Sequence, residues 1–151
     1  MTMLTNNSLS VSSPAFDNNG YIPAKYTCQG DDVNPPIAIG NIPDGTLSLA
    51  LILDDPDAPS GTFVHWVTWN IPVEFLIGEH SSPGTEGENG AKKSGYYGPC
   101  PPSGTHHYHF KVYALDTELD LKKGSDKAAL EKAMQGHILS QGEMIGLYSK
   151  S

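Results

Sequence analysis

Two short stretches concentrate the residue types that can do chemistry. The first is DDPDAP (54–59), where Asp54, Asp55 and Asp57 crowd two prolines just before FVHWVTWNI (63–71), a segment that carries His65. The second is GPCPPSGTHHYHFKVYAL (98–115), a Pro/Gly-rich piece running directly into His106, His107, Tyr108 and His109. A carboxylate does not attract an anion. It can, however, hold one imidazole N–H and support the imidazolium, leaving the second ring nitrogen for a ligand. Asp55 or Asp57 is therefore expected to orient His65 or His106 at the mouth of one cavity, where the rings meet a small oxyanion. Asp and Pro are also common turn formers, so DPDAP has a purely conformational alternative.

Two other chemistries compete. His107 and His109 are spaced H-x-H on a strand, which puts both imidazoles on one face, as metal sites require. A third ligand would have to come from an Asp, a Glu or another His, and the Lys111 cation shares that face, so a solvated pair is the preferred reading and no metal is expected. A His beside an Asp also resembles the base half of a hydrolytic triad, with Ser103 or Cys100 close to His106 in sequence. There is no G-x-S-x-G elbow, and Cys100 sits between prolines with no helix N-terminus to activate it. No catalytic residue and no cofactor are assigned, and a binder is expected rather than an enzyme.

These residues need strands to position them. TLSLALIL (46–53) is continuously apolar, which predicts a strand buried on both faces. In 63–71, strict alternation puts His65, Val67 and Trp69 on one face and Val64, Trp66 and Thr68 on the other. One tryptophan then belongs to the core, and the other is free to join an interface. In HHYHFKVYAL (106–115), His106, Tyr108, Phe110, Val112 and Ala114 face the core, and His107, His109, Lys111 and Tyr113 face solvent. YIPAKYT and the other short apolar pieces of the first third read as strands between turns such as DNNG and PDG. Residues 78–98 read as a long loop rich in Gly, Ser and Glu. SDKAALEKAMQGHIL (125–139) is the one convincing helix, with Ser125 as N-cap, and EMIGLYSK closes the chain as a strand. The expected fold is mainly β, an antiparallel β-sandwich with a short late helix and a final strand, in one domain spanning 1–151.

With 151 residues and a net charge of −8, the chain lacks the basic surface that nucleic acid or an anionic membrane would require. No apolar run approaches the roughly 20 residues that span a bilayer. No secretory signal is visible, so a cytoplasmic location is expected, with Cys28 and Cys100 as reduced thiols and a bridge between them as the less favoured alternative. MTMLTN resembles the leader of a cloning-vector reporter peptide, so about residues 1–8 are set aside from the fold.

DPDAP followed by a strand bearing HW, and then GPCPPSGTHHYHFKVYAL, resembles the two signature regions of the phosphatidylethanolamine-binding proteins. KYTCQGDDVNPPI and GHILSQGEMIGLYSK resemble the bacterial branch often labelled Raf kinase inhibitor-like. The resemblance runs from about Ser10 to the end. It implies a Greek-key β-sandwich with a small pre-formed pocket at one end that takes phosphate-like anions or phosphorylated head groups. By motif it places Asp55, Asp57, His65, His106 and Tyr108 at that pocket, with Pro99 to Pro102, including Cys100 and Pro101, as its wall and Phe63 as an aromatic neighbour. It also implies a cis peptide near Pro59, inhibition of a serine protease or kinase as an alternative role through 78–98, and a homodimer. His107 stands where many relatives carry arginine, so anion affinity is expected to depend on pH. The chain ends before the C-terminal helix that covers the pocket in animal members, so binding of a whole phospholipid is not expected.

Overall fold

A computed structural model describes residues 8–150; the vector-like leader falls outside the described residues. The strands are β1 (Ser10–Ser12), β2 (Ile37–Gly40), β3 (Ser48–Asp55), β4 (Phe63–Ile71), β5 (Leu76–Ile77), β6 (Thr85–Glu86), β7 (His106–Leu115) and β8 (Ile138–Tyr148). One helix, α1 (Lys127–Met134), separates the last two. A five-stranded sheet runs β6-β4-β3-β7-β8 and a three-stranded sheet runs β1-β2-β5, with every strand pair antiparallel. The expected antiparallel β architecture with a late helix and a closing strand is the one observed.

β3 is buried at every position because both faces of the large sheet are covered. Leu49, Leu51 and Leu53 join Phe110, Val112 and Ile39 in a core toward the small sheet. Ala50 and Ile52 turn the other way, onto Trp69, Leu130 and Met134, so α1 roofs the second face. Asp54 follows this alternation to the helix side, where it meets Lys127 at 2.8 Å and Lys111 at 3.3 Å. Asp55 points to the opposite side.

Several expectations are corrected. YIPAKYT is not a strand: Pro23 fixes an extended entry, and Ala24–Tyr26 close a 3-10 turn. The helix is shorter than 125–139. Asp126, not Ser125, caps it by accepting from Ala129 N at 3.0 Å. Gly136 takes a positive φ of 82° just past its end, and Ile138 already pairs with Leu115 as strand. Both tryptophans are buried, Trp66 toward the small sheet and Trp69 under α1, so neither is left for an interface. No cis peptide occurs among the described residues, so the bond near Pro59 is trans.

The loop 78–98 is not free. Thr85 and Glu86 pair with β4, Gly87 and Gly90 donate to the carbonyls of Val67 and Val64, and Tyr97 donates to that of His65. The indole N–H of Trp66 donates to Glu86 Oε1 at 2.7 Å. Burial raises the Glu86 carboxyl above its ordinary value, against the lowering effect of that indole. A raised carboxyl contributes stability that is fully present below about pH 4.5 and is lost as pH rises through the raised value. Glu86→Gln keeps the acceptor and removes the charge. It is expected to stabilise the fold by about 1 kcal/mol at pH 7, with no gain at pH 4, as measured by urea unfolding at the two pH values.

Candidate functional site

β3, β4 and β7 bring their ends together at one edge of the sandwich, beside the Pro/Gly segment that precedes β7. A cavity of about 260 Å³ opens there, lined by Asp55, Ala58, Pro59, Phe63, His65, Tyr97, Cys100, Pro101, Pro102, His106 and Tyr108. Of the residues expected at the site, Asp55, Phe63, His65, Cys100, Pro101, His106 and Tyr108 therefore meet. Asp57 and Pro99 do not line the cavity.

His65 reaches it through a bulge. The β3–β4 register passes from Leu53↔Trp66 to Asp54↔Val64, so His65 is an extra residue without a cross-strand partner. The bulge breaks the expected alternation. His65 lies with Tyr108, ring centroids 5.3 Å apart, and not with Val67 and Trp69 on the helix side. Its Nδ1 lies 2.6 Å from the Tyr97 carbonyl. A carbonyl oxygen only accepts, so Nδ1 carries the proton. Burial pushes the His65 pKa down, opposed by the Tyr97 carbonyl and more weakly by Asp55, Asp54 and Asp32.

His106 is held differently. Its Nδ1 contacts Asp55 Oδ2 at 2.7 Å, with both side chains buried. The other oxygen of Asp55 accepts from Asp57 N at 2.8 Å. Both oxygens of this carboxylate are thus engaged by protein donors, and the imidazole it holds lines the cavity. The expected aspartate–histidine coupling is present for His106. His65 instead takes its orientation from a backbone carbonyl, which no side-chain motif encodes.

Asp57 serves the outside of the same strand end. Its Oδ2 accepts from His107 N at 2.8 Å and lies 2.7 Å from His107 Nδ1. The His107 ring, its backbone N–H, and more weakly the charges of His107 and His106 lower the Asp57 pKa against its desolvation. His109 pairs with Glu143 at 2.6 Å. The H-x-H pair is thus divided between two carboxylates, and no cluster of three or more metal-ligating side chains occurs among the described residues.

Tyr108 is fully buried, and its hydroxyl has no hydrogen-bond partner among the described residues. Burial, with the charges of Asp55 and Asp57, raises its pKa, so it stays a protonated donor.

The wall corrects the cysteine expectation. Cys28 and Cys100 form a disulfide, with Cα atoms 5.5 Å apart. Cys28 N donates to the Pro99 carbonyl at 3.1 Å, and Gly98 N donates to Asp32 Oδ1 at 2.9 Å, so the backbone lays the two segments side by side. Reasoning from compartment could not see this proximity. A Cβ on Gly98 would fall 2.1 Å from Asp32 Oδ1 and 2.8 Å from the Tyr26 carbonyl, so only glycine permits this approach. Ala58, Pro59 and Tyr97 were not expected in the lining. For Tyr97, an aromatic pair immediately before the GPCPP wall was the available signal.

Two antiparallel sheets with a buried His–Asp pair and a second histidine around an end cavity define a β-sandwich with a cavity at one end. The phosphatidylethanolamine-binding protein family model matches residues 12–149, and the chain belongs to that family. It is 53% identical over 154 residues to a UPF0098 protein of Pyrococcus horikoshii, covering 95% of this chain and 77% of that one. The crystal structure of a phosphatidylethanolamine-binding protein homolog from Chlamydia trachomatis superposes with a TM-score of 0.92 at 37% identity, covering 97% of this chain and 100% of that one. Escherichia coli YbcL, described as a new member of the mammalian family, superposes at 0.86 with 26% identity, covering 95% of this chain and 99% of that one.

Proposed function

We propose that the chain is a binding module for small anions, taking phosphate or a phosphorylated head group in the end cavity and acting through occupancy rather than catalysis. The observation that carries this reading is the Tyr108 hydroxyl: buried, kept protonated, and without a partner among the described residues, at a cavity shared with two imidazoles. A buried polar group left unsatisfied costs about 1–3 kcal/mol, which a bound oxyanion would recover. The absence of permanent positive charge from the lining argues for modest affinity.

A nucleophile is not favoured, because Cys100 is consumed in the disulfide and Ser103 lies outside the lining. An inhibitor presenting 78–98 is not favoured either, because that segment is bonded along β4. No described helix is long and apolar enough to cross a membrane.

Inorganic phosphate titrated against the labelled protein is expected to shift the His65, His106 and Tyr108 resonances together. Tyr108→Phe and His106→Ala should each weaken binding about tenfold or more, the loss of one hydrogen bond to a charged group. Unmoved resonances at millimolar phosphate would remove the reading.

A further inference from the structure

Resting on that anion-binding reading, we infer that the phosphoryl ligand of this cavity brings its own proton. The pocket is built for a phosphomonoester or inorganic phosphate as the monoanion and discriminates against the phosphodiester, because His65 presents a lone pair where the ligand must supply a donor.

The argument starts from the His65 tautomer. Its Nδ1–H is spent on the Tyr97 carbonyl at 2.6 Å. In the neutral ring the remaining nitrogen, Nε2, can then only accept. The surroundings disfavour the charged ring. The side chain is 4% exposed, with the Phe63 ring against it at 4.8 Å, Tyr108 at 5.3 Å and Tyr97 at 6.1 Å. The charged and titratable groups around it are Asp55 from β3, with Asp54 acting from the helix side of the same strand, Asp32 from the loop beside the wall, Tyr97 before the wall, and Tyr108 and His106 from β7. Burial outweighs the acids among them and lowers the His65 pKa.

The Tyr108 hydroxyl is of the complementary kind. Tyr108 offers a hydroxyl proton with no protein acceptor among the described residues. His106 keeps Nε2 for the cavity while Asp55 occupies its Nδ1. The site therefore asks one ligand to accept from Tyr108 and to donate to His65. A phosphodiester has acceptors only, and one of its oxygens would face the His65 lone pair. A monoester monoanion has both kinds of group: a P–OH for His65 and an unprotonated oxygen for Tyr108.

The pH dependence follows. The second ionisation of a phosphomonoester lies near about 6. The donor is therefore present below that value and removed as pH rises, while a diester has no such step.

The test is calorimetry or resonance titration with phosphoethanolamine and with its diester, glycerophosphoethanolamine. At about pH 5.5 the monoester is expected to bind about tenfold more tightly or better, the worth of one hydrogen bond to a charged group. The ratio should shrink toward one by about pH 8, as the second ionisation removes the donor. His65→Phe should erase the monoester advantage and its pH trend. If that variant does not fold, the wild-type ratio and its pH trend decide. Equal affinities at low pH, or a ratio that grows with pH, overturn the inference while leaving the anion-binding reading intact. Failure of both ligands and of inorganic phosphate to bind overturns that reading and this one together.

Discussion

Replacing Cys28 and Cys100 together by alanine is expected to lower the unfolding free energy by about 4 kcal/mol. The two residues are separated by 72 positions, so the bond closes a long loop and removes much conformational freedom from the unfolded chain. Chain-entropy reasoning places a loop of that size near the upper part of the usual range of about 2–5 kcal/mol. The consequence is also local. Cys100 lies in the cavity wall between Pro99 and Pro101, and the backbone bond from Cys28 N to the Pro99 carbonyl is the nearest other tie. The double variant should therefore weaken phosphate binding as well as stability, and the wild type under reducing conditions should behave like it. Urea unfolding with and without a thiol reductant checks both. A loss below about 1 kcal/mol would mean that backbone bonds hold the wall alone.

Trp69→Ala is expected to cost a similar amount, about 3–5 kcal/mol, the range for deleting a fully buried tryptophan. The ring is 0% exposed and packs with Leu130 and Met134 beneath α1. Its Nε1–H donates to the Leu121 carbonyl at 3.3 Å. A Cβ on Gly87 would lie 2.6 Å from the ring, so the surrounding loop is fitted to it. The cavity is on the other side of the sheet. Phosphate binding by the folded fraction should survive, while thermal unfolding moves to lower temperature and α1 loses protection from amide exchange first. If binding fails as steeply as stability, the two faces are coupled through β4 more tightly than their separate packing implies.

The reading of β7 held on its core face, while Tyr113, expected in solvent, packs half-buried against the helix-side core. Tyr108, Phe110, Val112 and Ala114 all enter the core toward the small sheet, and His107 pairs with Asp57 outside it. Ten residues pair with β8 and shift register only at Leu115, so alternation holds almost to the end. β4 was less legible. Its bulge at His65 inserts one residue, and every inference of facing across that point reverses. A bulge depends on what the neighbouring strands demand, and the residues within it look like any others.

The sequence alone determined that β3, β4 and β7 are buried strands, because a period of two and a continuous apolar run are properties of neighbours along the chain. It also carried the motifs that place Asp55, His65, His106 and Tyr108 together. Tertiary structure alone decided that Cys28 meets Cys100, that Asp57 serves His107 rather than the cavity, and that a carbonyl from Tyr97 sets the protonated nitrogen of His65. Each of those contacts joins residues at least 32 positions apart. At that distance local propensity is silent, and the packing of whole sheets determines which atoms come within reach.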